Sequence, residues 1–156
     1  MTFLLLALIL GGEVWAAPLD ESAYAAPDTR LTPGVSDSSA TLKNLCTPGY
    51  TASIRFVSDK TKTLVFKRYG IPRDGAKYEV DHLISLALGG KNDIENLWPE
   101  NWPEARQKDV VETWLHRKMC AGLYSIAKAQ SLMRRWPSVY RAIKEGKTAM
   151  EIGSQL

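Results

Sequence analysis

An aspartate and a histidine stand side by side at Asp81-His82, inside the run Tyr78-Glu79-Val80-Asp81-His82-Leu83-Ile84. Two glycines, Gly89-Gly90, follow, and the chain returns through Asn92-Asp93-Ile94-Glu95-Asn96-Leu97-Trp98-Pro99. These residue types divide the work of a metal-assisted hydrolysis. A carboxylate holds a divalent ion, an imidazole takes a proton from water, and an amide fixes the loop that carries the imidazole. Histidine suits the proton-accepting role because its ordinary pKa lies near neutrality. The chain has only two histidines, so placing one of them here is a narrow choice. Taken singly, each residue has a plainer role: an Asp-His pair at a strand end is most often a surface turn, and an asparagine is a turn former. The order and spacing set this group apart.

Two strands joined by a glycine turn, followed by a helix, would position such groups. Residues 80–88 are apolar and partly β-branched and read as a strand running into Gly89-Gly90, whose positive φ would allow a tight reversal. Residues 94–98 read as a shorter return strand stopped by Pro99. Pro103-Glu104 then opens a long helix, with proline in its first turn and an acid near the positive end of its dipole. Val110, Val111, Trp114, Leu115 and Met119 recur at helical spacing as its buried stripe, and Gly122 ends it. Upstream, 53–57 alternates like a strand, 62–69 reads as a short helix and Pro72-Arg73-Asp74-Gly75 as a turn. Downstream, helices are expected over 125–135 and from Pro137 to Gly146. The fold class is therefore α+β.

The residues around this pair resemble the HNH endonucleases. That family's ββα-metal (His-Me finger) module carries an Asp-His pair, a downstream Asn, and a His or Asn on the helix. The resemblance extends to small exported bacterial HNH-type proteins through Cys46-Thr47-Pro48-Gly49-Tyr50, Asn96-Leu97-Trp98-Pro99, and Lys108-Asp109 through Leu115-His116 to Cys120. It covers most of residues 45–145. It implies His82 as general base, Asn96 as the residue that orients it, and Asp81 as a metal ligand. The chain departs from the family in the helix, where Glu104 and Ala105 stand at the last ligand's place. Glu104 is the matching oxygen ligand, with Asn101 as an alternative. The implied cofactor is a divalent ion, Mg²⁺ or Mn²⁺, since hard ions accept carboxylates. The implied activity is phosphodiester hydrolysis of nucleic acid, DNA first, with little sequence specificity because no recognition module is added. The competing reading is a catalytically silent exported protein of the same fold that binds nucleic acid or another partner.

At 156 residues the chain is one domain's worth. Residues 2–12 are nearly continuous Leu, Ile, Ala and Phe, the length of a signal-peptide apolar region, and Val14-Trp15-Ala16-Ala17 supplies small residues for cleavage. The expected division is a signal peptide over 1–17, a mobile leader over 18–44 rich in Ala, Ser, Asp, Thr and Pro, the HNH-like domain over 45–146 and a tail over 147–156. A periplasmic or secreted location follows, with no stable membrane association after cleavage. Cleavage removes Glu13 and no basic residue, taking the net charge from +3 to +4. So mild a balance neither demands nor excludes nucleic acid, but basic residues flank the motif on both sides, and Arg55 and Arg106 are candidate phosphate contacts. The two cysteines, Cys46 and Cys120, favour a disulfide in an exported protein. A zinc site of Cys46, His116, Cys120 and His82 is the minor alternative, although its spacing matches no zinc ribbon or finger.

Overall fold

The computed structural model of the chain describes residues 26–156. The expected signal segment 1–17, and residues 18–25 of the expected leader, lie outside the described residues. The architecture is mixed α+β: one two-stranded antiparallel sheet and seven helices among the described residues. Strands β1 (Tyr78–His82) and β2 (Leu97–Asn101) pair in the register Tyr78 with Asn101, Glu79 with Glu100, Val80 with Pro99, Asp81 with Trp98 and His82 with Leu97. Because side chains alternate across a strand, Glu79, Asp81, Trp98 and Glu100 share one face. Helix α4 (Trp102–Cys120) follows β2 directly and packs on the hairpin.

Both strands differ in extent from the sequence reading, and side-chain chemistry explains why. The apolar run 80–88 leaves the sheet after His82 because the side chain of Asn96 takes over both backbone groups of Ile84. Its Oδ1 accepts from Ile84 N–H at 2.9 Å and its Nδ2 donates to Ile84 O at 2.9 Å. Leu83 to Leu88 is therefore a buried loop ending in a 3₁₀ turn over Leu86–Leu88. A second 3₁₀ turn, Ile94–Asn96, takes the place of the expected start of the return strand. Pro99 lies within β2 rather than stopping it. In a two-stranded sheet each strand has a free edge, where a missing N–H costs nothing.

The two turn glycines serve different ends. Gly89 has φ +81°, the left-handed conformation expected of a reversal. Gly90 has no positive φ but sits so close to the loop that a Cβ would lie 1.7 Å from Ile84 O.

Helix α4 is the centre of the core. It buries Val111, Leu115 and Met119 as expected, together with Ala105 and Lys108, while Val110 is 45% exposed and Trp114 only partly buried, so the stripe is narrower than expected and begins one turn earlier. Against it pack α5 (Ile126–Met133) and α6 (Trp136–Lys144) through Leu132, Met133, Trp136 and Val139. The expected tail 147–156 is instead largely helix: α7 (Ala149–Gln155) starts from a capping box of Thr148 and Glu151 and buries Ile152.

Two upstream expectations also change. Residues 53–57 do not form a strand; α2 (Tyr50–Ile54) is a short helix, and Phe56 is 76% exposed. Two alternating apolar residues provide no burial when neither reaches the core. The leader is ordered from residue 26 onward. Thr32 is fully buried, its Oγ1 donating to Leu97 O at 2.9 Å, and Gly34 N–H donates to Glu95 O at 3.0 Å. Backbone and hydroxyl hydrogen bonds hold this segment, which composition cannot reveal. The short helix α1 (Leu42–Leu45) then leads into the Cys46–Cys120 disulfide, which ties it to the end of α4 across 74 positions. Helix α3 (Asp59–Tyr69) packs on β2 and contains the expected 62–69 segment. No helix among the described residues is long and apolar enough to cross a membrane.

Candidate functional site

His82 ends β1 with its ring buried. Its Nε2 lies 3.0 Å from Asn92 Oδ1, and Asn92 Nδ2 donates to Ile54 O at 2.8 Å. With the amide's donor side committed to Ile54, its oxygen faces the imidazole, so Nε2 carries the hydrogen and Nδ1 keeps its lone pair. That is the tautomer of a ring oriented at one nitrogen and basic at the other. Burial pushes the His82 pKa below its ordinary value, and the Asn92 hydrogen bond and the Asp81 charge only partly oppose this. At neutral pH the ring is neutral and able to accept a proton.

Asn96 does not touch the imidazole. Its side chain, fully buried, makes the two bonds to Ile84 and donates a third to Lys91 O at 2.8 Å. It thus ties both sides of the loop that carries Asn92. The expected orienting role is divided: Asn92 holds the ring, and Asn96 holds the loop.

On the opposite face of β1, Asp81 meets Glu79 and Glu100. One oxygen of each of the three carboxylates lies within 4.8 Å of the others. Burial alone would raise the Asp81 pKa, but the ammonium of Lys108, set directly against Oδ2, brings it down to about 2. Glu100 is fully buried and neither of its oxygens has a hydrogen-bond partner; Lys108 Nζ stands 3.7 Å from Oε2. Burial raises the Glu100 pKa to about 10, helped by the Asp81 charge against the opposing pull of Lys108. Burial and the charge of Asp81 likewise raise Glu79 to about 7. Crowded carboxylates with an orphaned buried member form an all-oxygen donor set that fits a hard divalent ion.

Glu104, the sequence-based choice for the helix ligand, is not in this group. Its backbone N–H donates to Asn101 Oδ1 at 3.0 Å, and Asn101 Nδ2 donates to its Oε2 at 2.6 Å. The two residues cap the N-terminus of α4 and satisfy each other, which also removes Asn101 as a ligand. On the helix, Lys108 reaches Asp81 instead. Arg55, at the C-cap of α2, is exposed, and its charge acts on both His82 and Glu79. Arg106 is also exposed but lies two residues from Lys108, on the side of α4 turned away from it. Trp98 is fully buried core, and Trp102 donates its indole N–H to Gly75 O.

The expected disulfide between Cys46 and Cys120 is present. It removes the zinc alternative as drawn, since bonded sulfurs offer no thiolate. His82 is engaged with Asn92, whereas His116 Nε2 lies 2.9 Å from Leu45 O and 3.5 Å from Cys120 Sγ. His116 is thus a structural residue beside the bridge.

Four site residues escaped the sequence reading: Asn92, Glu79, Glu100 and Lys108. Glu79 carried a signal, standing two residues before Asp81 and so on the same strand face. Lys108 carried another, as the one cation at helical spacing between Ala105 and Val111 on the buried stripe. The chain matches no protein-family model, no curated protein and no solved structure.

Proposed function

We propose that this protein is an HNH-type endonuclease that hydrolyses phosphodiester bonds in nucleic acid, DNA first, with little sequence preference. The observation that carries the reading is the presence of two chemistries on neighbouring residues of one strand: a neutral His82 with Nδ1 unencumbered on one face of β1, and the all-oxygen group of Glu79, Asp81 and Glu100 on the other. These three carboxylates would hold a hard divalent ion, Mg²⁺ or Mn²⁺. When bound, such an ion neutralises charge on the scissile phosphate and on the leaving oxygen.

His82 Nδ1 takes the proton of the attacking water, a contribution of about 10²–10⁴-fold in rate for a positioned general base. Asn92 keeps the ring's orientation and tautomer by accepting from Nε2–H. Asn96 keeps the loop in place through Ile84 and Lys91. Arg55, exposed beside His82 and Glu79, is the cation best placed to meet a phosphate, and Arg106 is assigned at most a peripheral contact. A small site reading only phosphate and sugar carries no sequence information. An extracytoplasmic location belongs to the same reading, and the disulfide supports it.

The test is nicking of supercoiled plasmid by the purified protein. Nicking with Mn²⁺ or Mg²⁺ that stops on addition of EDTA supports the reading; no nicking with either ion counts against it. One observation favours a second reading, a catalytically silent protein of this fold: Lys108 already neutralises Asp81. DNA binding at low salt without metal-dependent cutting would select it.

A further inference from the structure

Lysine is rarely buried without full pairing. The side chain of Lys108 is 1% exposed, and its ammonium lies against Asp81 and 3.7 Å from Glu100. It acts on Glu79 as well. The same three residues offer the oxygens expected to hold a divalent ion. A protonated amine has three donors and no lone pair, so it cannot serve as a ligand to that ion. It can only share its oxygens or exclude it.

We infer that Lys108 is a built-in competitor for the divalent ion: ammonium and ion are alternative occupants of the Glu79, Asp81 and Glu100 group, and the ion binds only as Lys108 withdraws. This rests on the reading of those three carboxylates as the metal group. Glu112, one helical turn further along α4 and partly buried, is the partner this inference assigns to the displaced amine. Lys108 then serves two purposes: it stabilises the acid cluster when no ion is bound, and it sets the ion concentration at which the site becomes competent. A threshold of this kind ties the site to surroundings where divalent ions are plentiful.

Calorimetric titration with Mn²⁺ alone, without nucleic acid, tests this. Lys108→Met and Lys108→Gln are each expected to bind Mn²⁺ about tenfold or more tightly than the wild-type chain, within the ordinary range of coupling between two sites. Because a variant may lose its fold, the wild-type protein supplies a second readout. Brief acetic anhydride labelling followed by peptide mass spectrometry should modify Lys108 several-fold faster in saturating Mn²⁺ than in EDTA. The inference is overturned if folded variants bind Mn²⁺ no more tightly than wild type, or if Lys108 stays protected in the Mn²⁺-loaded wild type. In either case, Mn²⁺ binding by the wild type leaves the metal group standing. No Mn²⁺ binding by any of the three proteins removes both.

Discussion

Asn96→Ala is the substitution whose cost the geometry fixes best. The native side chain is fully buried and makes three hydrogen bonds, to Ile84 N–H, Ile84 O and Lys91 O, all between 2.8 and 2.9 Å. Alanine removes all three. Lys91 is exposed, so its carbonyl can turn to water, but Ile84 is fully buried and both of its backbone groups lose their only partner in the loop. A buried polar group left unpaired costs about 1–3 kcal/mol, so the two together should cost about 2–6 kcal/mol. For a chain of this size, about 3–5 °C of Tm is lost per kcal/mol, giving a fall of roughly 6–30 °C. Urea denaturation followed by tryptophan fluorescence would measure it, since Trp98 and Trp136 are buried. The midpoint should fall with an unchanged slope. Asn96→Asp keeps the acceptor for Ile84 N–H but sets an oxygen against two carbonyls, and should cost at least as much. A loss below about 0.5 kcal/mol for Asn96→Ala would refute the reasoning, because it would mean that the loop does not depend on these bonds.

Further outcomes follow from the same structure. Gly90→Ala places a Cβ 1.7 Å from Ile84 O, and overpacking of this kind should cost about 3 kcal/mol or prevent folding, as thermal melts would show. Reducing the Cys46–Cys120 bridge, which spans 74 positions, should lower stability by about 4 kcal/mol in the chain-entropy account, read from denaturation with and without a phosphine reductant. The lowered pKa of His82 means that the unfolded chain takes up a proton there before the folded one does. Stability should therefore fall as pH drops below about 6.5, and His82→Gln should remove that part of the slope. Glu79 has the opposite sign: its folded pKa of about 7 stands above the ordinary 4.5, so its favourable contribution is present in acid and is lost as pH rises through 7. Glu79→Gln should accordingly raise the Tm at pH 8 and leave it nearly unchanged at pH 4.

The parts of the fold legible in the sequence were those set by local signals. Pro103 and Glu104 marked the start of α4, Gly89 marked a left-handed turn, and two cysteines in a chain with a signal-like start pointed to the bridge. Strand ends were not legible, because Asn96 competes for the backbone of Ile84 from twelve residues away, and propensity does not register a side chain that replaces a ladder. The ordered segment from residue 26 was missed for a related reason: Thr32 and Gly34 are held by hydrogen bonds rather than by apolar bulk.

At the site, Asp81 and His82 are consecutive on β1 and so face opposite sides of the strand, and the residues around each come from the register of the hairpin. Glu100 joins the acids only because β2 places it opposite Glu79, and an expected stop at Pro99 left it outside the strand. Glu104 matched the helix ligand by count along the chain, yet the position one turn before Lys108 is taken up by capping. Lys108 is hidden in the sequence because the apolar stripe read from it begins at Val110 and Val111, and only Ala105, one turn earlier, extends the buried face past the lysine.

The most direct measurement of the central claim is the Mn²⁺-dependent nicking rate of His82→Ala beside that of the wild-type chain, with both proteins shown to be folded. His82→Ala should nick at least about 10²-fold more slowly, the contribution of a positioned general base. Equal rates for the two proteins would contradict it, whatever the acid group binds.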